Sequence, residues 1–228
     1  MAFHRGPKIV TDGLVLALDA GNLKSYTGSG NVWNDISVNN FNAELINGPI
    51  LDNGTLSFSG TNEWVNIEGA DTLVKGKSEF SMGVMVNLTS LSFLGVVIGV
   101  PRYGCTKNIV ISAFENGDLR FYNDDLETCR AITLSNYLEL NKWIYIVGTF
   151  DGTTTTLYGI KDGVLSSISG TLVTGQTNNF TDYNTFSLMG RGANYLGGNL
   201  ASSFVYNKVL TQEEILQNFN AQKTRFGL

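Results

Sequence analysis

Residues 142–163 read KWIYIVGTFDGTTTTLYGIKDG. From Trp143 to Phe150 the run is apolar at odd and even positions alike, as in a central strand covered on both sides. Asp151-Gly152 interrupts it, a second strand-like run occupies 155–160, and Asp162-Gly163 interrupts again. Asp-Gly pairs between β-prone runs mark tight turns, because both residues tolerate backbone conformations closed to most side chains. The stretch therefore predicts antiparallel strands joined by short turns.

The same grammar extends in both directions. Between 80 and 88 the residues alternate: Phe80, Met82, Val84, Val86 and Leu88 face one way, Ser81, Gly83, Met85 and Asn87 the other. That is the period of a half-buried strand. Further strands are predicted at 14–18, 56–58, 64–67, 108–114, 119–123, 164–172, 185–189 and 200–205. Asn116-Gly117 and Asn53-Gly54 supply more turn signals. One helix is expected, at the C-terminus. Thr211 and Glu214 form a capping box, Leu210 and Ile215 have the spacing of a hydrophobic staple, and Ile215, Leu216 and Phe219 form an apolar stripe. The pattern predicts an all-β sandwich or barrel with one short C-terminal helix. Residues 1–10 are read as an N-terminal arm and 11–228 as a single domain.

Composition narrows the function. The 26 glycines against 3 prolines suit many tight turns, and a net charge of −5 without any basic stripe argues against nucleic acid. The longest apolar run, 91–100, is about half the length needed to span a bilayer, so membrane insertion is not expected. No apolar segment of signal-peptide length follows the N-terminus, which predicts a cytoplasmically made protein. In that compartment Cys105 and Cys129 are expected to be reduced thiols rather than a disulfide. With His4 the only histidine, a Cys/His zinc site is not expected.

Four stretches, 11–37, 56–67, 142–163 and 190–215, resemble laminin-G-like jelly rolls of the concanavalin A-like superfamily, which implies a two-sheet antiparallel jelly-roll sandwich. More narrowly, they resemble versions found in structural proteins of tailed bacteriophages. The hairpin with its two Asp-Gly turns and the terminal YNKVLTQEEI carry most of the likeness. The chain departs from the family where 58–64 read FSGTNEW rather than Phe-Asp-Gly-x-x-Asp-Tyr, and where 199–203 read NLASS rather than carrying an acidic pair. The resemblance implies a virion structural protein, in a capsid or tail, that contacts other virion proteins, associates as a trimer and touches host surface glycans. A calcium-dependent carbohydrate-binding lectin is the alternative, and a glycoside hydrolase relative a remote third.

Catalysis is not expected. Hydrolytic jelly rolls place clustered carboxylates on one strand so that acid and nucleophile share a cleft. Here the nearest cluster, Asp124, Asp125 and Glu127, reads as a solvated turn, and a Ser-His-Asp triad would have to use His4. No cofactor is required. If calcium binds, Asp19, Asn62 and Glu63 are the oxygen ligands on offer. For glycans, Trp33, Trp64 and Trp143 read as core, whereas Tyr103, Tyr183 and Tyr195 lie among Gly, Asn and Asp and suit a surface platform. Phe3, His4, Arg5 and Lys8 suit an assembly arm.

Overall fold

The structure is a computed structural model and describes residues 7–101, 108–123, 130–177 and 185–228. The first strands are β1 (Leu14–Asp19), β2 (Val32–Trp33), β3 (Ala43–Ile46), β4 (Ile50–Asp52), β5 (Thr55–Ser59) and β6 (Trp64–Glu68). A short 3-10 turn, Ala70–Leu73, leads to β7 (Phe80–Ser90), β8 (Gly95–Val100), β9 (Ile109–Ala113), β10 (Leu119–Asn123) and β11 (Ala131–Leu134). Next come β12 (Trp143–Phe150), β13 (Thr155–Lys161), β14 (Val164–Gly170) and β15 (Thr185–Leu188). A small hairpin, β16 (Gly190–Arg191) and β17 (Asn194–Tyr195), precedes β18 (Gly197–Tyr206) and the helix α1 (Gln212–Gln222).

Among the described residues two antiparallel eight-stranded sheets form the jelly-roll sandwich. Sheet I runs β14-β13-β12-β7-β18-β5-β4, with β1 also paired to β18; sheet II runs β11-β10-β9-β8-β15-β6-β3-β2. Their facing sides share one apolar core that includes Leu16, Phe80, Val84, Phe121, Ile146, Phe150 and Phe186. Alternation along each strand sends every second residue into this core.

Strand β7 is buried more completely than its alternation predicts. Met82, Val84 and Val86 enter the inter-sheet core as expected, but Ser81, Gly83 and Met85 on the other face are buried too. The cause is the helix. Met85, Tyr145, Val147, Phe204 and Tyr206, on the outer face of sheet I, pack with Ile215 and Phe219 of α1 and with Val10. The capping box forms as read: the Thr211 hydroxyl accepts from the Glu214 amide at 3.2 Å, and Glu214 accepts from the Thr211 amide at 3.0 Å. Leu210 and Ile215 are both buried beside it, as a staple requires. Among the described residues no helix is long and apolar enough to cross a membrane.

The turns behave as their residues dictate. Asp162 and Gly163 both take positive φ, 52° and 76°, closing a two-residue hairpin, and Asn53-Gly54 closes another at 47° and 76°. Asn116-Gly117 differs. Only Gly117 takes positive φ, and the β9–β10 connection is a longer loop in which the Phe114 amide donates to the Asp118 carbonyl. Cys105, Cys129, Asp124, Asp125 and Glu127 lie outside the described residues.

Candidate functional site

The outer face of sheet II carries side chains of a different kind from any other layer. On β6, Val65 and Ile67 are fully buried in the core, so Trp64, Asn66 and Glu68 point outward. Strand register aligns outward residues into a row: Glu44 pairs with Asn66, Asn66 with Ser187, Ser187 with Gly99, Gly99 with Val110, and Val110 with Tyr122. Neighbours in such a row have Cβ atoms about 5 Å apart. One step along the strands lies a second row, in which Ser112 stands between Val96 and Arg120.

Four buried polar atoms of these rows have no protein partner: Asn66 Oδ1, Ser187 Oγ, Ser112 Oγ and Arg120 Nε. Leaving a buried donor or acceptor unmade costs about 1–3 kcal/mol, and native interiors keep few of them. Other such atoms, among them Trp33 Nε1, Asn87 Oδ1 and Ser203 Oγ, are scattered through the molecule, whereas these four share one face. Trp64 borders the row half-buried and belongs to neither apolar cluster. The expectation that it is core is therefore corrected: strand period turns it away from Val65 and Ile67. Trp33 is fully buried as expected. Trp143 is half-buried, its ring tilted against Phe226 with centroids 4.1 Å apart.

Electrostatics fix the far end of the second row. Arg120 donates to Asp118 Oδ2 at 2.8 Å while its guanidinium lies 4.1 Å from the Phe114 ring centre. That hydrogen bond, with the Asn136 amide donating to Oδ1 at 3.1 Å, holds the Asp118 carboxyl below the usual carboxylate range. The hairpin β16–β17 leans on β8, where Arg191 Nη1 donates to the Pro101 carbonyl at 2.7 Å. The chain enters that hairpin through Met189, buried with a φ of 61°, a strained conformation for a non-glycine residue.

Of the aromatic platform read from sequence, Tyr195 lies half-buried on this hairpin against Gly190. Tyr103 and Tyr183 lie outside the described residues, as do Phe3, His4 and Arg5 of the arm. Lys8 is exposed, and its carbonyl accepts from Gln217 of α1 at 2.8 Å. The three oxygen donors suggested for calcium are not brought together. Asp19 pairs with Arg225 at 2.8 Å, and Arg225 also donates to Gly54 at the start of β5. Glu63 accepts from Ser59, at the end of the same strand, at 2.6 Å. A five-residue strand sets these points roughly 13 Å apart, too far to share one cation. Asn62 is exposed beside Glu63, its carbonyl taken by Asn47. Among the described residues no three His, Cys, Asp or Glu side chains cluster as metal ligands.

Sequence reading found β6 but not its role. The signal was present in WVNIE, where alternation opposes Trp64, Asn66 and Glu68 to Val65 and Ile67. Ser187 and Ser112 carried none, because their place depends on long-range register.

No curated protein matches the chain. Among solved structures it resembles Trypanosoma rangeli sialidase, with a TM-score of 0.67 and 20% identity over 93% of this chain and 33% of that one. The chain thus spans about a third of the sialidase. It also resembles the binding domain of Paraclostridial Mosquitocidal Protein 1, with a TM-score of 0.65 and 17% identity over 92% of this chain and 52% of that one. A third likeness is to the CBM40 of Ruminococcus gnavus IT-sialidase, bound there to α2,3-sialyllactose: TM-score 0.56, 14% identity, 74% of this chain and 97% of that one. At such identities the likeness is one of fold. The family model for the concanavalin A-like lectin/glucanases superfamily matches residues 59–216, from the end of β5 into α1. That is well over half of the sequence, and the chain belongs to this laminin-G-like, lectin-type family.

Proposed function

We propose that this chain is a non-catalytic glycan-binding module whose ligand face is the outer surface of sheet II, carried on a bacteriophage virion. The observation behind the ligand face is the Asn66–Ser187 pair with its unpartnered oxygens, bordered by the half-buried Trp64 ring. Sugars need both features: an apolar ring face to stack on and polar groups with free hydrogen-bonding capacity for hydroxyls. The fold supports this reading, since a carbohydrate-binding module bound to sialyllactose shares it. Because Asp19 and Glu63 lie at opposite ends of β5, the binding proposed here does not run through a calcium ion held by them. The virion setting rests on the resemblance of the four quoted stretches to phage structural proteins. There, residues 1–8 would grip neighbouring subunits.

A glycan array probed with wild type and with Trp64→Ala tests the ligand face, with sialyllactose and lactose as first soluble probes. Retention of a glycan by wild type, undiminished by chelator and lost in Trp64→Ala, is the expected result. No retained glycan, or equal retention by both proteins, overturns it. Immunogold labelling of phage particles tests the setting: regular labelling is expected, lost on deleting residues 1–8, and unlabelled particles reject it.

A further inference from the structure

The two sheets end in edges, and one edge combines length with lack of charge; β11, the edge of sheet II that reads AITL, is also uncharged but has only four residues. Strand β1 borders sheet I beside β18, and the side it turns away from β18 is closed by its own chain. The Asp19 amide donates to Ser25 Oγ, the Ala17 amide to Asp35 Oδ1, and the Val15 carbonyl accepts from Ser37 and Asn39. Strand β4 has three residues and ends on Asp52, and β2 has only two. Brevity and charge are the usual protections of an edge strand.

Strand β14 has neither. Its seven residues, VLSSISG, contain no charge and no proline; among the described residues its ladder partner is β13 alone, and β11 packs near its far end, with Ile132 against Gly170. Val164 is 65% exposed and Ile168 37%. The two-residue turn at Asp162-Gly163 fixes which backbone groups are used. Lys161 and Val164 flank that turn as a hydrogen-bonded pair, so Val164, Ser166, Ile168 and Gly170 spend their backbone groups on β13. Leu165, Ser167 and Ser169 therefore turn their amides and carbonyls outward.

We propose that β14 is a self-association edge, on which the β14 of a second copy of this chain pairs antiparallel about a two-fold axis through Ser167. In that register Leu165 faces Ser169 of the partner copy and Ser167 faces Ser167, each a doubly hydrogen-bonded pair. The rule for antiparallel ladders gives roughly six new backbone bonds. A second copy is the fitting occupant because the strand is complementary to itself. Small serines meet across the axis without a clash, and no charge on either strand opposes the approach of two chains of net charge −5. The apolar side chains Val164 and Ile168 gain cover at the same time. Sheet I becomes one continuous sheet across the dimer, presenting two outer faces of sheet II and so two-point attachment to any multivalent ligand.

Light scattering behind size exclusion, at about 100 µM chain, tests this together with amide hydrogen exchange. Wild type is expected at twice the chain mass, with the Leu165, Ser167 and Ser169 amides exchanging at least tenfold more slowly than in a monomer. Ser167→Pro removes one outward amide and leaves the β13 ladder intact, as proline at an edge does. Ile168→Lys places a charge at the junction. Both variants are expected to run as monomers with unchanged far-ultraviolet circular dichroism, and to retain glycan as wild type does. A monomeric wild type, or a dimer that survives both substitutions, overturns the proposal. Neither result touches the sheet II ligand face.

Discussion

The outer face of sheet I and the outer face of sheet II come from strands of the same kind and reach opposite ends. On sheet I the outward side chains are large and apolar, and α1 and Val10 lie over them. Polar groups there are joined in a closed circuit. The Val10 amide donates to Asn218 Oδ1 at 2.7 Å, the Asn218 amide group donates to the Tyr206 hydroxyl at 3.0 Å, and that hydroxyl donates to the Val10 carbonyl at 3.0 Å. Burial in this layer pushes the Tyr206 hydroxyl up to about 12. On sheet II the outward rows mix Val96, Val110 and Tyr122 with polar residues, and Asn66, Ser187 and Ser112 keep oxygens with no protein partner. The first face is closed mostly by the chain itself, with Asn87 Oδ1 left unpartnered at its margin. The second carries three such oxygens, on the face proposed for the ligand.

This contrast breaks most visibly at the helix. Phe219→Ala empties the layer between α1 and Tyr145 and is expected to destabilise the chain by about 3–5 kcal/mol, read from the urea unfolding midpoint. Asn218→Ala strands the Val10 amide in a buried layer and should cost about 1–3 kcal/mol. On sheet II the sign reverses. Ser187→Ala deletes an unpartnered hydroxyl and should leave stability unchanged or raise it by up to about 1 kcal/mol. Asn66→Ala should also be nearly neutral in unfolding while weakening glycan affinity about tenfold, a loss of about 1.4 kcal/mol of binding.

The smallest effect is one of pH. Its hydrogen bond to Lys208, at 2.8 Å, holds the Glu214 carboxyl below its usual range. A carboxylate depressed on folding stabilises fully above its unfolded value, about 4.3, and that contribution disappears as pH falls through the folded value. The pair is partly solvated, so the expected loss is about 0.5 kcal/mol. It should appear as a roughly twofold drop in the protection of α1 amides, relative to their intrinsic exchange rates, between pH 5 and 3, absent in Glu214→Gln.

The sequence revealed most of sheet I, and much less of sheet II. Long strands such as β7 and β12 show their period plainly, and the capping box located α1 to the residue. Strands β2, β3, β4 and β11, of two to four residues, are too short to display a period. Strand β8 hides for another reason. A bulge between Val96 and Ile98 shifts its register, so an all-apolar run reads as neither alternation nor helix. The site was hidden by the same logic. Trp64 is typical of core by residue type, and Ser187 joins Asn66 only through the pairing of β15 with β6, more than a hundred residues away. Asp19 and Glu63 suited calcium by residue type, but the length of β5 separates them.

The most direct test of the ligand face is a nuclear magnetic resonance titration of labelled wild type with the glycan that the array retains. Saturable shifts confined to Trp64, Asn66, Ser187 and their neighbours on sheet II are the predicted result. Shifts centred on α1 and the outer face of sheet I, with sheet II silent, would contradict it.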